Sequence, residues 1–268
     1  MPVHSSESAD RAVERYEVVS ADGTPIVCAR RPGPGETVVL LHGVAMDRQV
    51  WLDSGFLTAL PPDTDVISVD LRGRGESGAV GTSESHAPDR YVEDVRAVLD
   101  RFGRDRYSLF GLYFGGRIAL WSAASDERVA RAFSFCAHGE EVEIPVDAVE
   151  EEARAVEGPD GHAYLRENFL SKGAPEWMVD ACDRVDRREL GVATRGLLHG
   201  AHRAAERGGP DQELVLITAS GDADLEPFHA GEKRLGARLW LVDSPTRVRA
   251  AARLAEVGRS VVRVTGAV

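Results

Sequence analysis

The 268-residue chain is long for a single modal domain but within the range of one large α/β unit, and its 43% apolar content is enough for a substantial core. A formal net charge of −12 excludes a surface built to neutralise nucleic-acid phosphates, and equally one drawn to an anionic membrane. The three cysteines, Cys28, Cys136 and Cys182, have no paired spacing, so neither a disulfide framework nor a zinc site is expected.

The first residues, Met1–Arg11, are polar and acidic, with no basic and apolar leader pattern, and residues 1–14 are expected to be disordered. No apolar run approaches the length of a membrane span, so a cytoplasmic protein is the default expectation. Tyr16–Ser20 and Pro25–Arg30 flank the turn signal Asp22-Gly23 and predict a hairpin. Thr37–Leu41 reads as a short buried strand, Arg48–Leu60 as a helix closed by Pro61-Pro62, and Asp65–Val69 as the next strand. Tyr91, Val92, Val95, Val98, Leu99 and Phe102 keep the 3.6-residue period, which predicts a helix over Asp89–Phe102 stopped by Gly103. Tyr107–Phe110 (strand), Phe114–Ala124 (helix) and Ala130–Ala137 (strand) continue the alternation.

From His138 to Gln212 no strand is evident, only helical segments, one of them over Leu190–Glu206. Glu213–Ala219 then resumes the strands, followed by a helix over Pro227–Leu235, a strand over Ala237–Val242, a helix over Pro245–Val257 and an extended tail over Ser260–Val264. Strands alternating with helices imply a mostly parallel sheet covered on both faces. The expected organisation is a core in two parts, residues 15–137 and 213–268, with a helical cap over residues 138–212 between them. An insert at the end where parallel sheets carry ligands reads as a lid; an edge element away from that end is the alternative.

Four motifs in order make the chain resemble the α/β-hydrolase superfamily from Tyr16 to about Val257. They are Val38-Val39-Leu40-Leu41-His42-Gly43, Asp70-Leu71-Arg72-Gly73-Arg74-Gly75-Glu76-Ser77, Gly111-Leu112-Tyr113-Phe114-Gly115, and Gly221-Asp222-Ala223-Asp224. The resemblance implies an α/β-hydrolase fold with a capped small-molecule site. It also implies a nucleophile elbow with Tyr113 at its tip, oxyanion donors in the backbone amides of Val44 and Phe114, and Asp224 at the acid position. The elbow has a physical rationale as well. A sharp strand-to-helix turn crowds its flanks, which Gly111 and Gly115 relieve, and it lifts the tip residue above a helix N-terminus.

Two departures dismantle the catalytic triad that the resemblance implies. Tyr113 replaces the nucleophile, and a phenol with a pKa of ~10 is a poor nucleophile at neutral pH. No histidine follows His229, so the loop Leu241–Arg247, where the general base belongs, has none. Acyl-serine hydrolysis is therefore excluded.

Tyr113 remains a hydrogen-bond donor or acid, or else a plug in a vacated pocket. His138, after the last strand of the first core part, is a candidate partner facing the cleft, and Asp224 either orients a group or forms an ion pair. His42 reads as a brace of the oxyanion loop at the edge of the substrate site. His199 and His202 either reach the cleft from a cap helix or lie on an ordinary exposed face; without a third ligand they imply no metal, and no cofactor is expected. Arg72 and Arg74 read as loop braces and Cys136 as core.

Three functions fit. One is a non-hydrolytic lyase, isomerase or cyclase acting on a small, largely apolar molecule, as in bacterial natural-product biosynthesis. The others are an inactive pseudo-hydrolase that binds a ligand or protein partner, and a hydrolase with a rebuilt site. The expected partner is a small molecule, with neither nucleic acid nor membrane; the sequence leaves the oligomeric state open.

Overall fold

The computed structural model of the protein describes residues 13–201 and 203–261. The hairpin of β1 (Glu14–Val19) and β2 (Pro25–Arg31) turns at Gly23, whose φ of 88° needs a glycine. There follow β3 (Thr37–Leu41), the short helices α1 (Val50–Asp53) and α2 (Phe56–Ala59), β4 (Asp65–Val69) and α3 (Pro88–Phe102). Next come β5 (Tyr107–Leu112), α4 (Phe114–Ser125) and β6 (Val129–Phe135). Four helices, α5 (Val146–Glu157), α6 (Gly161–Ser171), α7 (Glu176–Ala181) and α8 (Arg187–Gly196), then precede β7 (Glu213–Ala219). The described chain closes with α9 (Glu226–Leu235), β8 (Arg238–Val242), α10 (Arg247–Ala250) and α11 (Leu254–Val261).

The eight strands form one sheet in the order β1-β2-β4-β3-β5-β6-β7-β8. β2 runs antiparallel to β1 and β4, and every other neighbouring pair is parallel. The apolar runs of β3 and β5 have a simple cause: both faces of the sheet are covered. Val39 and Leu41 point to the face carrying Tyr91, Leu99, Ile118 and Phe228. Val38, Leu40 and Phe110 point to the opposite face, against Trp51, Phe56, Leu254 and Val257.

Several boundaries differ from the sequence expectation. β1 begins at Glu14, the last residue of the stretch expected to be irregular, and the rest of that stretch to residue 12 lies outside the described residues. The helix expected over Arg48–Leu60 is two short helices, because Gly55 adopts a left-handed φ of 73° between them. β6 leaves the sheet after Phe135, since Cys136 has a φ of 62°. The helix expected over Leu190–Glu206 ends at Gly196, followed by a 3-10 turn through Leu197–His199 that left-handed Gly200 terminates. Ser260 and Val261, expected in an extended tail, close α11, whose Leu254, Val257 and Val261 keep a helical spacing against the core; residues 262–268 lie outside the described ones.

The helices between β6 and β7 sit against the loop that follows β3. Val156, Leu165, Cys182, Val185 and Leu190 enclose Ala45 and touch Val44. Polar pins hold the inserted helices to the loops after β3 and β4. Arg184 bonds Asp47 at 2.7 Å and Asp53 at 3.0 Å, and the buried carboxylate of Glu189 accepts the amides of Val80 and Gly81.

Candidate active site

At the end of β5 the chain turns sharply into α4, and Tyr113 stands on the bend with φ 52° and ψ −112°. Backbone bonds hold this uncommon conformation: the Tyr113 amide donates to Phe135 (2.8 Å), and its carbonyl accepts from Gly116 (2.9 Å) and Arg117 (3.3 Å). The flanking glycines are obligatory. A Cβ on Gly111 would lie 2.0 Å from the Gly115 carbonyl oxygen, and one on Gly115 would lie 2.1 Å from that of Leu41.

As the first residue of α4, Phe114 has an amide with no carbonyl to donate to inside its helix. Across the bend lies Val44, and its amide direction is set by its neighbour. His42 is fully buried; its Nε2 accepts the Leu71 amide at 3.0 Å, so the proton sits on Nδ1 and is donated to the Gly43 carbonyl at 2.7 Å. Because that carbonyl and the Val44 N–H share one trans peptide plane, holding the first aims the second the opposite way. Arg74 donates to the Val44 carbonyl at 2.5 Å and fixes the next plane. Among the described residues neither the Val44 nor the Phe114 amide finds an acceptor. His42 thus braces the loop from behind, with both ring nitrogens engaged and its side chain fully buried.

The Tyr113 hydroxyl donates to the carbonyl of Arg247 at 3.2 Å, and the Cys136 thiol donates to the same oxygen at 3.4 Å. Burial pushes the Tyr113 phenol well above its ordinary value of 10, and the Cys136 thiol well above 9, so both stay protonated at neutral pH. The Tyr113 ring packs in the cluster containing Phe169 and Trp177 of the inserted helices.

Beyond β7 the turn Gly221–Asp224 places Asp222, not Asp224, inward. The Asp222 side chain is 7% exposed and takes Arg247 Nε (2.7 Å) and Nη2 (3.0 Å), whereas Asp224 is 63% exposed and 3.7 Å from the same guanidinium. Arg247 stands on the segment after β8, where the family resemblance implies a general base, and its guanidinium is spent on Asp222. It cannot accept a proton at neutral pH.

His138 follows β6 and accepts the Glu140 amide on Nδ1 at 3.1 Å, which leaves the proton of its neutral form on Nε2. Its ring meets Phe228 edge-on at 5.5 Å. Burial, reinforced by Arg117 and Arg247, draws it below its ordinary 6.5. His199 bonds Ser83 at 3.0 Å on the 3-10 turn, and His202 lies outside the described residues. Among the described residues no group of His, Cys, Asp or Glu is placed to hold a metal, and no helix is long and apolar enough to cross a membrane.

The motifs single out Tyr113, Val44, Phe114 and His138, and the structure sets Tyr113 on the bend after β5, Phe114 at the start of α4 and His138 just after β6; Asp222, Arg247 and Cys136 carry no such signal in the sequence. The resemblance puts Asp224 at the acid position, but burial picks out its neighbour Asp222 in the same turn, and Arg247 after β8 carries no motif.

A family model described as alpha/beta hydrolase fold matches residues 36–173, just over half of the chain. The chain belongs to the α/β-hydrolase fold family. Within that fold it is most usefully compared with the solved structure of the bottromycin epimerase BotH in complex with bottromycin A2. Identity there is 74%, over 94% of this chain and 99% of that one, with a TM-score of 0.92. An esterase from Exiguobacterium antarcticum aligns over 94% of this chain and 99% of its own with a TM-score of 0.77, but at 17% identity, a likeness of fold alone. Among curated relatives, the 2-succinyl-6-hydroxy-2,4-cyclohexadiene-1-carboxylate synthase described as putative in Bacillus subtilis is 33% identical over 37% of this chain and 35% of its own length. The N-formylmaleamate deformylase of Pseudomonas putida is 32% identical over 40% and 38%. The matched stretch spans little more than a third of either relative.

Proposed function

We propose that this α/β-hydrolase-fold protein is a non-hydrolytic enzyme, an epimerase that inverts one stereocentre of a bottromycin-type molecule held beneath the helical segment 138–212. The observation that carries this reading is the 74% identity to the bottromycin epimerase across 94% of this chain.

The site's chemistry is consistent with it. Epimerisation removes a proton from carbon and returns one to the opposite face, so nothing is added and no bond to oxygen or nitrogen breaks. At a carbon beside a carbonyl, the demand is stabilisation of an enolate oxygen. The Val44 and Phe114 amides are donors of the right kind, pre-aimed and free of competing acceptors. A nucleophile at the elbow would open the competing acyl-transfer route. On this reading Tyr113 closes it, because its phenol stays protonated with its proton committed to the Arg247 carbonyl and so is no nucleophile. Its role on this reading is a wall beside the polarised carbonyl. His138, kept neutral by burial, is the imidazole placed to test as proton carrier, and Asp222 with Arg247 forms the rigid side of the cleft.

The complex of the epimerase with bottromycin A2 also favours a second reading, in which the protein binds such a molecule without changing it. One experiment separates the two. The protein is incubated with a bottromycin-type substrate in D2O, and the epimer ratio and C–H to C–D exchange are followed by NMR. Exchange at one carbon together with inversion supports the epimerase. Binding with neither exchange nor inversion supports the binding protein. Appearance of a hydrolysis product that His138→Ala abolishes would mean that a rebuilt hydrolase was the correct reading.

A further inference from the structure

The planar fork of Arg247 is only half used. Its Nε and Nη2 edge is spent on Asp222, which leaves Nη1 on the far side of the plane, and among the described residues Nη1 has no acceptor. The Arg247 side chain as a whole is 31% exposed. The guanidinium lies 5.8 Å over the ring of Phe228, the ring against which His138 packs, while Arg247's own carbonyl holds the Tyr113 hydroxyl. Guanidinium, imidazole and elbow tyrosine are therefore neighbours at one end of the sheet.

We propose that the Nη1 edge of Arg247 is a second oxygen-recognition point of the cleft, donating to a neutral carbonyl oxygen of the bound molecule. The charge balance selects the ligand group. One guanidinium faces two carboxylates, Asp222 and Asp224, so the cluster is net negative and attracts an anion poorly. A neutral carbonyl meets no such repulsion and gains a directed, charge-assisted hydrogen bond. The implied substrate class is a molecule with at least two carbonyl groups, one for the paired amides and another for Arg247. Arg247 is then a specificity-determining residue, and the inference rests on the reading of this cleft as the site of a bottromycin-type ligand.

The test uses bottromycin A2 as the probe and the whole protein. Its Kd is measured by calorimetry for the wild type, Arg247→Lys, Arg247→Gln and the double variant Arg247→Gln/Asp222→Asn, which leaves no unpaired buried carboxylate and so guards against misfolding. Isotope-edited infrared spectra of the bound probe report its carbonyl stretches. All three variants are expected to bind about tenfold more weakly or worse, and the double variant is expected to lose one downshifted carbonyl band. Wild-type Kd is expected to change less than twofold between 50 and 500 mM salt, on the order expected for a neutral contact. Unchanged affinity and unchanged bands in a folded double variant would overturn the assignment. Marked weakening by salt would replace the carbonyl with an anionic group. Failure of the wild type itself to bind the probe would instead count against the proposed function.

Discussion

The hydroxyl of Tyr113 and the carbonyl oxygen of Arg247, 134 positions apart in sequence, meet at 3.2 Å. Tyr113 and Cys136 are the two non-glycine residues with positive φ among the described ones, and both donate to that single oxygen. The strained bend after β5 and the strained exit from β6 are thereby tied to the segment following β8. Tyr113→Phe keeps the ring and removes one of these ties. It should destabilise the fold by about 1 kcal/mol, in line with a neutral hydrogen bond, read as a lower midpoint in urea at constant slope.

Placing a serine at the elbow should not confer hydrolysis. In Tyr113→Ser the new hydroxyl finds Arg247, paired with Asp222, rather than an imidazole on the segment after β8, so it stays protonated. Fluorophosphonate probes should leave the variant unlabelled and activated esters should turn over at the wild-type background rate. Rapid stoichiometric labelling would show that another base reaches position 113.

The elbow tolerates no Cβ. Gly115→Ala would drive its methyl to 2.1 Å from the Leu41 carbonyl oxygen, against backbone of the central strand β3, which cannot step aside. A loss of about 3 kcal/mol or more is expected, at or beyond the top of the usual overpacking range. Thermal melting or soluble yield measures it, and a variant as stable as wild type would mean that the bend relaxes more easily than its geometry implies.

Arg72 is fully buried and binds Asp94 through two bonds of 2.7 and 2.6 Å, with Asp22 at 2.8 Å. Arg72→Met leaves Asp94 buried with an unpaired charge, which typically costs about 3–5 kcal/mol. The double change Arg72→Met/Asp94→Leu should recover much of that loss, a difference that a double-mutant cycle in denaturant reads directly.

Acid should destabilise the protein through its buried histidines. His86 bonds Tyr91 through Nδ1, and its Nε2 is buried without a partner. Burial, with Arg74 and Arg72 nearby, draws its pKa down to about 3 from 6.5. The unfolded chain therefore binds a proton that the folded one refuses, so stability is full above pH 6.5 and falls as the pH drops toward 3. The slope is about 1.4 kcal/mol per pH unit for that one proton. His42 and His138 are shifted in the same direction and add to it. His86→Phe should flatten the stability–pH curve between 6.5 and 4, and an unaltered slope would assign the acid sensitivity elsewhere.

What the sequence alone determined follows from local chemistry. Unbroken apolar runs such as Val38–Leu41 require burial on both faces, helical periods such as that of α3 require one, and glycines at fixed offsets around position 113 require a bend. Those rules act over a few residues and so can be read from a string. That Tyr113 stands at the tip between Gly111 and Gly115, and that no histidine follows His229, is legible for the same reason, as residues read off the string. Only the tertiary structure decided which aspartate of the Gly221–Asp224 turn faces inward, that Arg247 is the cation it pairs with, and that Tyr113 spends its proton on a carbonyl 134 positions away. Such choices are settled by desolvation and hydrogen-bond partners brought together from β5, β6, β7 and the segment after β8. No local pattern encodes which of two chemically equivalent carboxylates the packing will bury.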